Sequence, residues 1–212
     1  MIIAVDGPTA SGKGTIAKQL AQHFGLAYLD TGLLYRAVGH QVKLNGGDAD
    51  DPADALAGCR FSDALLADDV LRDENTGAFA SRVSVHPEVR AALYQRQIDF
   101  AAQPGGAVLD GRDIGTVIAP DADAKLFITA SAQVRARRRF AEMTKAGGAR
   151  GITRSYEDML ADVQRRDARD AGREAAPLIQ SQDALLLDTS DLTIGDAVQA
   201  AIGLVEMRLD QS

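Results

Sequence analysis

The amino-acid sequence predicts an α/β fold in which a mostly parallel sheet is covered by helices on both faces. Short apolar runs typical of buried strands alternate along the 212 residues with segments of helical periodicity. The first run, 2–5, ends in Asp6 and Gly7 and leads into a glycine-containing turn. Because ligands of parallel sheets bind beyond the carboxyl ends of the strands, we expect the functional residues there.

The apolar pattern also sets approximate bounds for the elements. Buried strands are predicted at 2–5, 26–30, 107–109, 125–129 and 184–187. Helices are predicted at 13–24, 33–44, 87–103, 132–145, 155–171 and 194–209. From 48 to 77 the pattern is irregular and acidic, which predicts an insertion of short elements. The glycine-rich stretch 147–151 predicts a gap between two helices, and we expect its first part to be mobile.

Composition restricts the class of protein. A net charge of -7 argues against general nucleic-acid binding, whereas arginines clustered between Arg135 and Arg173 predict a local site for a small anion. No apolar run reaches the roughly 18 residues of a membrane-spanning helix, and the first residues lack the basic segment of a signal peptide. The single cysteine, Cys59, cannot form an internal disulfide, so we expect a cytoplasmic protein. Since no exposed apolar repeat suggests an interface, we expect a monomer.

The strongest motif follows the first predicted strand. The segment 7–13 has the G-x-x-x-x-G-K pattern of a P-loop, in which glycines let successive backbone N–H groups point at phosphate oxygens. The helix that begins near Lys13 directs its positive dipole end at the same place, and Lys13 adds a full charge for the β- and γ-phosphates. The motif predicts ATP binding by Gly7, Pro8, Thr9, Ala10, Ser11, Gly12, Lys13, Gly14 and Thr15.

The residue after the P-loop lysine departs from the usual pattern. Gly14 stands where a serine or threonine ordinarily supplies a hydroxyl to Mg²⁺, and Thr15 follows one place later. We therefore expect Mg²⁺ to be held by phosphate oxygens and waters rather than by a direct protein ligand. Asp110 or Asp6 could order those waters, and Thr15 could bond a phosphate instead.

A second motif distinguishes a kinase from other nucleotide-binding proteins. No Asn-Lys pair exists in the chain, so the guanine-reading segment of a GTPase is absent. The predicted strand 107–109 is followed by Asp110, Gly111, Arg112 and Asp113. An arginine at a strand end indicates binding of a second anion rather than activation of water, which favours a kinase.

Two predicted helices carry charged faces, and each has two interpretations. On 155–171 an apolar stripe continues into Arg166 and Asp170, with Arg173 beyond; it predicts either the wall of a site or a solvated helix end with internal ion pairs. On 132–145 the charged face predicts either a solvated basic surface or part of a lid over the ATP phosphates, which Arg150 and Arg154 could join. This face consists of Arg135, Arg138 and Arg139.

Four segments together resemble the bacterial cytidylate kinase family. They are 7–15, 29–36, 110–116 and 166–170, and the resemblance extends from residue 2 to about 190. It implies a three-layer P-loop kinase fold with a mostly parallel five-stranded sheet. It further implies a core at about 1–30, 104–145 and 172–212, an insertion for the nucleoside monophosphate at about 31–103, and a mobile lid at about 146–171. Ala10 departs from the family, which usually has glycine there.

The resemblance also implies roles for individual residues. The acceptor phosphate would be held by Arg36, Arg112 and Arg173. The cytosine would be read by Ser81, Arg90 and Asp113. The ribose would be held by Arg166 and Asp170, in a pocket shaped by Asp30, Thr31 and Tyr35. Transfer itself would depend on Lys13, Arg112, Arg173 and Arg138. The chemistry agrees, because a carboxylate such as Asp113 accepts from the N4 amine of cytosine and meets a carbonyl in uracil.

These expectations define an ATP- and Mg²⁺-dependent kinase of pyrimidine nucleotide metabolism. It would convert CMP and dCMP to CDP and dCDP by direct in-line transfer, without nucleic-acid or membrane partners. Two alternatives remain at this point: a kinase for UMP, AMP or shikimate, and a regulatory module that uses the P-loop as a switch. Only a kinase needs Arg36, Arg112, Asp113 and Asp170 to converge on one place.

Overall fold

The computed structural model describes residues 1–146 and 155–211. The predicted gap 147–151, together with Arg150 and Arg154, lies outside the described residues. A five-stranded sheet forms the centre of the described fold, in the order β2-β3-β1-β4-β5. Its strands are β1 (Ile2–Asp6), β2 (Ala27–Asp30), β3 (Ala107–Gly111), β4 (Ala124–Thr129) and β5 (Leu185–Asp188). Every neighbouring pair is parallel, so the predicted sheet is confirmed.

Helices connect the strands and extend the chain away from the sheet. They are α1 (Lys13–Phe24), α2 (Thr31–Leu44), α3 (Pro52–Ala57), α4 (Glu74–Val83), α5 (Pro87–Ala101), α6 (Ala132–Ala146), α7 (Tyr156–Ala171) and α8 (Ile194–Leu209). Two 3₁₀ turns, Asp63–Ala67 and Asp69–Arg72, precede α4, and a π-helical turn, Ile114–Ile118, follows β3. The sequence pattern predicts neither α4 nor the π-helical turn as a separate element.

The sheet is buried on both faces by apolar side chains. On one face α1 and α8 cover β1 and β4, with a core that includes Ile3, Leu20, Leu126 and Val205. On the other face α5 and the π-helical turn pack against β1 and β3. Strands buried on both faces read as continuous apolar runs, which is why the short runs in the sequence predict them correctly.

A second core stabilises the segment between β2 and β3. It joins α2, α4 and α5 through residues that include Leu34, Val38, Val83 and Leu93. At Gly39 an added Cβ would lie 2.8 Å from the Cβ of Phe79, so α2 and α4 approach too closely for any larger residue there. This contact fixes α4 against the core together with Phe79, Ala80 and Val83, which pack into it.

Helix ends carry the expected signals. Ser155 and Asp158 form a capping box at the start of α7, each side chain bonding the other's backbone N–H. Gly25 ends α1 in the left-handed conformation with φ 66°. Because β2, β3 and β1 are parallel neighbours in the sheet, their carboxyl ends lie side by side.

Candidate functional site

The turn between β1 and α1 has the backbone geometry of a phosphate cradle. Gly7 has φ 153°, and a Cβ there would lie 2.0 Å from the carbonyl oxygen of Ile128, so the loop can pass β4 only with glycine. Gly12 has φ 90° and immediately precedes the first turn of α1. Ala10 has φ 58°, a left-handed conformation that costs a residue with a Cβ about 1–2 kcal/mol.

Two arginines of α6 hold this loop by its carbonyl groups. Arg135 forms a bidentate pair with Asp167 of α7, at 2.8 and 2.5 Å, and also donates to the carbonyl oxygen of Thr9 at 3.2 Å. Arg138 donates to the carbonyl oxygen of Thr189 at 2.5 Å and to that of Ser11 at 3.3 Å. Fixing the carbonyls on one side of the loop leaves its N–H groups for a ligand on the other.

This framework corrects one interpretation of the basic face on α6. Arg135 is only 5% exposed, so the solvated basic surface is wrong for this residue. Asp167 and Thr189, which the sequence does not single out as site residues, are parts of the same framework. Thr189 is buried at the end of β5, and its hydroxyl donates to the carbonyl oxygen of Ser11 at 2.9 Å. Spacing alone could not reveal these contacts because the partners lie far apart in sequence.

Lys13 lies at the base of the cradle beside a buried carboxylate. Its Nζ is 3.9 Å from Oδ1 of Asp110, whose Oδ2 accepts a 2.7 Å hydrogen bond from the hydroxyl of Tyr28. Burial, together with the charge of Arg112, lowers the pKa of Lys13 to about 8. Burial also raises the pKa of Asp110. A Cβ at Gly14 would lie 3.1 Å from this same Oδ2, so glycine lets α1 begin against the carboxylate.

The two carboxylates considered for ordering Mg²⁺-bound waters have different surroundings. Asp6 uses both oxygens to accept the backbone N–H groups of Ile114 and Gly115, at 2.9 and 2.8 Å. Burial raises its pKa to about 7 despite these hydrogen bonds. Asp6 thus anchors the π-helical turn, whereas Asp110 lines the cleft described below. Of the two, Asp110 has the position that such a role requires.

Three arginines, one just after β3, one in α7 and one just after α7, surround Asp170 in this cleft. Nε of Arg112 donates to Oδ2 of Asp170 at 2.8 Å, and Nε of Arg173 donates to its backbone carbonyl at 3.3 Å. Burial would raise the pKa of the Asp170 carboxyl, but Arg112, Arg166 and Arg173 outweigh it and the pKa is lowered. Burial and then Arg112 lower the pKa of Arg166 to about 9. The group carries a surplus of positive charge.

Two polar atoms in this group show that it suits an anion. Nε of Arg166 and Nη2 of Arg173 are buried and have no hydrogen-bond partner within the described ranges 1–146 and 155–211. Buried donors ordinarily have partners, and a phosphate offers several acceptor oxygens. Asp170 is only 4% exposed and pairs with Arg112, the residue after β3, so the interpretation of this face as a solvated helix end is wrong.

The part of the cleft beside α4 and α5 is lined by uncharged and ion-paired polar groups. Arg90 forms a buried ion pair with Asp113 and lies over the ring of Tyr35, with 5.5 Å between the guanidinium carbon and the ring centroid. Ser81 accepts a 2.7 Å hydrogen bond from Arg169, a residue that the sequence does not single out. Burial raises the pKa of Tyr35 to about 12, so its hydroxyl stays protonated.

Arg36 reaches the cleft from α2. Its Nη1 donates to the carbonyl oxygens of Leu71 and Asp73, at 2.8 and 3.1 Å, so the 3₁₀ turn before α4 holds its guanidinium in place. Thr31 donates from its hydroxyl to the carbonyl oxygen of Asp110 at 2.8 Å and joins β2 to β3 at the base of the cleft.

Most of the predicted site residues line this single cleft. They are Thr9, Ala10, Lys13, Gly14, Asp30, Thr31, Tyr35, Arg36, Ser81, Arg90, Arg112, Asp113, Arg166, Asp170 and Arg173. Four others line a neighbouring cavity of about 540 Å³ beside α8, namely Ser11, Gly12, Thr15 and Arg138. Gly7 and Pro8 line neither. Arg36, Arg112, Asp113 and Asp170 therefore converge on one cleft, as a kinase requires and a switch does not.

Two features are absent from the part of the chain that the structure describes. Among these residues no group of three or more His, Cys, Asp or Glu side chains could hold a metal ion. In the same ranges no helix is long and apolar enough to cross a bilayer.

Comparisons with known proteins agree with this geometry. The family model described as cytidylate kinase matches residues 3–207. The chain is 54% identical over 208 residues to the cytidylate kinase of Xanthobacter autotrophicus, covering 98% of both chains. It is 55% identical over 207 residues to that of Azorhizobium caulinodans, covering 97% of this chain and 98% of the relative. A solved structure of an uncharacterized protein from Eubacterium ventriosum shares the fold, at 14% identity and a TM-score of 0.54, over 100% of this chain and 99% of that one.

Proposed function

Because the chain belongs to the cytidylate kinase family, it phosphorylates CMP with ATP in pyrimidine nucleotide metabolism, and we propose that both CMP and dCMP bind in the cleft described above. The observation that carries this proposal is the group of buried arginines around Asp170, close to Lys13 and the phosphate cradle. A monophosphate bound there would supply acceptors for the unpartnered nitrogens of Arg166 and Arg173.

ATP is proposed to bind through the segment 7–15. Its phosphates would accept hydrogen bonds from the backbone of the cradle and from Lys13, at the start of α1. The cavity of about 540 Å³ beside α8 is large enough to hold a nucleoside and adjoins the same loop. Arg138 lines this cavity, with Nη1 3.9 Å from a Cβ built at Gly12, and is proposed to act on the phosphates from that side.

Mg²⁺ is proposed to reach the site with ATP. When bound, the ion would neutralise charge on the triphosphate while keeping several of its own waters. Asp110 is the candidate to accept hydrogen bonds from those waters, since its carboxylate lies in the cleft 3.9 Å from Lys13. Gly14 offers no hydroxyl there, and its close approach to Asp110 agrees with indirect binding of the ion.

The acceptor is proposed to lie with its phosphate toward the arginines and its base toward α5. Arg36, Arg112 and Arg173 would hold the phosphate, and Arg166 with Asp170 the ribose, in a pocket shaped by Asp30, Thr31 and Tyr35. Ser81, Arg90 and Asp113 would read the cytosine. Support comes from the buried Arg90–Asp113 pair, which presents a fixed carboxylate to an N4 amine and would repel the O4 carbonyl of uracil.

Transfer is proposed to be direct and in line. The acceptor phosphate oxygen is already anionic, so no strong general base is required. Lys13, Arg112, Arg173 and Arg138 would position the two phosphates and stabilise the charge that develops between them. We also infer that 31–103 forms the acceptor-binding part and 146–171 a lid, around a core of 1–30, 104–145 and 172–212.

The experiment that tests this function measures ADP release from Mg·ATP with one acceptor at a time. Fast release with CMP and dCMP, and little with UMP, AMP or shikimate, is the expected result. Comparable release with UMP would overturn the roles given to Ser81, Arg90 and Asp113, while leaving the phosphate cradle intact. Slow release that no acceptor changes would instead favour a nucleotide-dependent switch. Lys13→Ala should abolish turnover with every acceptor.

A further inference from the structure

Arg169 contacts the proposed acceptor site from outside it. This residue lies on the exposed side of α7, and its Nη1 donates a 2.7 Å hydrogen bond to Oγ of Ser81 on α4. Ser81 is only 3% exposed and lines both the cleft and the neighbouring surface groove between α4 and α7, whereas Arg169 lines the groove alone. The contact therefore connects an accessible cation to a buried hydroxyl at the proposed base-reading end.

The direction of this hydrogen bond determines what Ser81 can offer a ligand. A serine inside a helix commonly donates its proton to a carbonyl of the preceding turn. Here the oxygen accepts from a cation, and no acceptor for the Ser81 proton is found among residues 1–146 and 155–211. The hydroxyl thus keeps a proton to donate to a ligand in the cleft.

A cationic donor also changes the strength of that hydroxyl. The guanidinium occupies one of the two lone pairs on Oγ and draws electron density from the oxygen, because hydrogen bonds in a chain polarise one another. The hydroxyl becomes a better donor and a poorer acceptor. In cytosine N3 and O2 are both acceptors, whereas N3 of uracil carries a proton and is a donor. At the N3 position, a hydroxyl biased toward donation therefore fits cytosine better than uracil, whereas O2 is an acceptor in both bases and gives no discrimination.

We propose that Arg169 is a positioning and specificity-determining residue, which acts through Ser81 to favour cytosine over uracil. The inference rests on the proposed function, since it requires that Ser81 touches the base, and it places that contact at N3. Arg169 is not a catalytic residue, because its contact is with Ser81 rather than with the substrates. The proposal distinguishes it from its neighbour Arg165, which forms an ion pair with Asp162 within α7 and contacts the same groove.

The test compares kinetic constants for CMP and UMP in Arg169→Ala, Arg169→Lys and the matched control Arg165→Ala. Arg169→Ala is expected to raise KM for CMP about 10-fold, with kcat changed less than about twofold and KM for ATP unchanged. Its ratio of kcat/KM for CMP over UMP should fall about 10-fold. Arg169→Lys, which keeps a cationic donor, should recover part of this ratio, and Arg165→Ala should leave it unchanged.

A double-mutant cycle then asks whether Arg169 acts through Ser81. If it does, adding Arg169→Ala to Ser81→Ala should cause little further loss, since the hydroxyl it polarises is already gone. Additive losses would overturn the inference, as would a normal CMP to UMP ratio in Arg169→Ala when Ser81→Ala lowers it. If Ser81→Ala itself left the ratio unchanged, the base-reading role of Ser81 in the proposed function would fail together with the inference.

Discussion

Replacing Asp170 with asparagine removes a negative charge that lies among three arginines. The carboxylate is 4% exposed and accepts a 2.8 Å hydrogen bond from Arg112, and it also interacts with Arg166 and Arg173. Breaking a buried ion pair by removing one partner typically costs 3–5 kcal/mol, because the other charge stays buried. Asparagine keeps a carbonyl acceptor, and Arg112 retains its 3.1 Å bond to the carbonyl of Gly111. We therefore expect a loss near the lower bound, about 3 kcal/mol.

This loss should be measured as the free energy of unfolding in urea, in a buffer of low ionic strength without phosphate. The same experiment with inorganic phosphate added separates charge compensation from a packing defect. Phosphate in the arginine group would replace the missing negative charge, and it would no longer be repelled by a carboxylate. It should therefore stabilise Asp170→Asn more than it stabilises the wild type.

Asp167→Asn is the matched control for this prediction. It is three residues away on α7 and breaks a pair with Arg135, which holds the carbonyl side of the P-loop rather than facing the cleft. Asp167→Asn should lower the free energy of unfolding, but added phosphate should stabilise it no more than it stabilises the wild type. The charge argument would be refuted if Asp170→Asn were as stable as the wild type, or if phosphate stabilised all three proteins equally.

Two further predictions concern the phosphate cradle. Ala10→Gly should raise the free energy of unfolding by about 0.5–1 kcal/mol, because the strain at φ 58° exceeds the extra freedom of glycine in the unfolded chain. Ala200→Gly within α8, measured in the same urea titration, should lower it by about 1 kcal/mol, and a destabilised Ala10→Gly would contradict the strain argument. The kcat/KM for ATP should fall as pH rises through about 8, since Lys13 is protonated and charged below its pKa and neutral above it. Asp110→Asn should move this fall to lower pH because the carboxylate favours the charged lysine, and a wild-type profile that stays flat to about pH 9.5 would show that Lys13 is not the titrating group.

The central sheet was predictable because its strands carry short apolar runs, although only the inner strands β1 and β3 are buried almost throughout and the edge strands β2 and β5 are partly exposed. The residues at the ends of two strands also indicate where the site lies. Strand β1 ends at Asp6 and is followed by Gly7, and β3 ends with Asp110 and Gly111. The same two residue types at neighbouring strand ends nevertheless have different surroundings. Asp6 is engaged by backbone N–H groups of the π-helical turn, and Asp110 by Tyr28 and Lys13. Sequence could identify both carboxylates but not assign their partners.

Helix α4 was not predictable for a related physical reason. A helix is recognised in sequence by a stripe of large apolar residues, but α4 has only Phe79 and Val83 of this kind and also depends on its close approach to α2 at Gly39. The arginines of α6 show the same limit for the site. The spacing predicts that Arg135 and Arg138 share one face of the helix. Their partners, however, include the carbonyl groups of Thr9 and Ser11, more than a hundred residues earlier in the sequence. The periodicity of a sequence shows which residues share one face of a helix, but not which residues of the fold pack against that face.

The departure from the usual P-loop pattern at position 14 connects two motifs that are far apart in sequence. A side chain at Gly14 would crowd Oδ2 of Asp110, which lies only 3.1 Å from the position of a Cβ there. The carboxylate in turn raises the pKa of Lys13 against the effect of burial, so it keeps more of the lysine charged before ATP arrives. Replacing Gly14 with serine would restore the usual hydroxyl, but the new side chain would lie in close contact with the carboxylate of Asp110. The glycine and the aspartate are therefore best understood as one arrangement, in which a carboxylate beside the lysine takes the place of a hydroxyl after it.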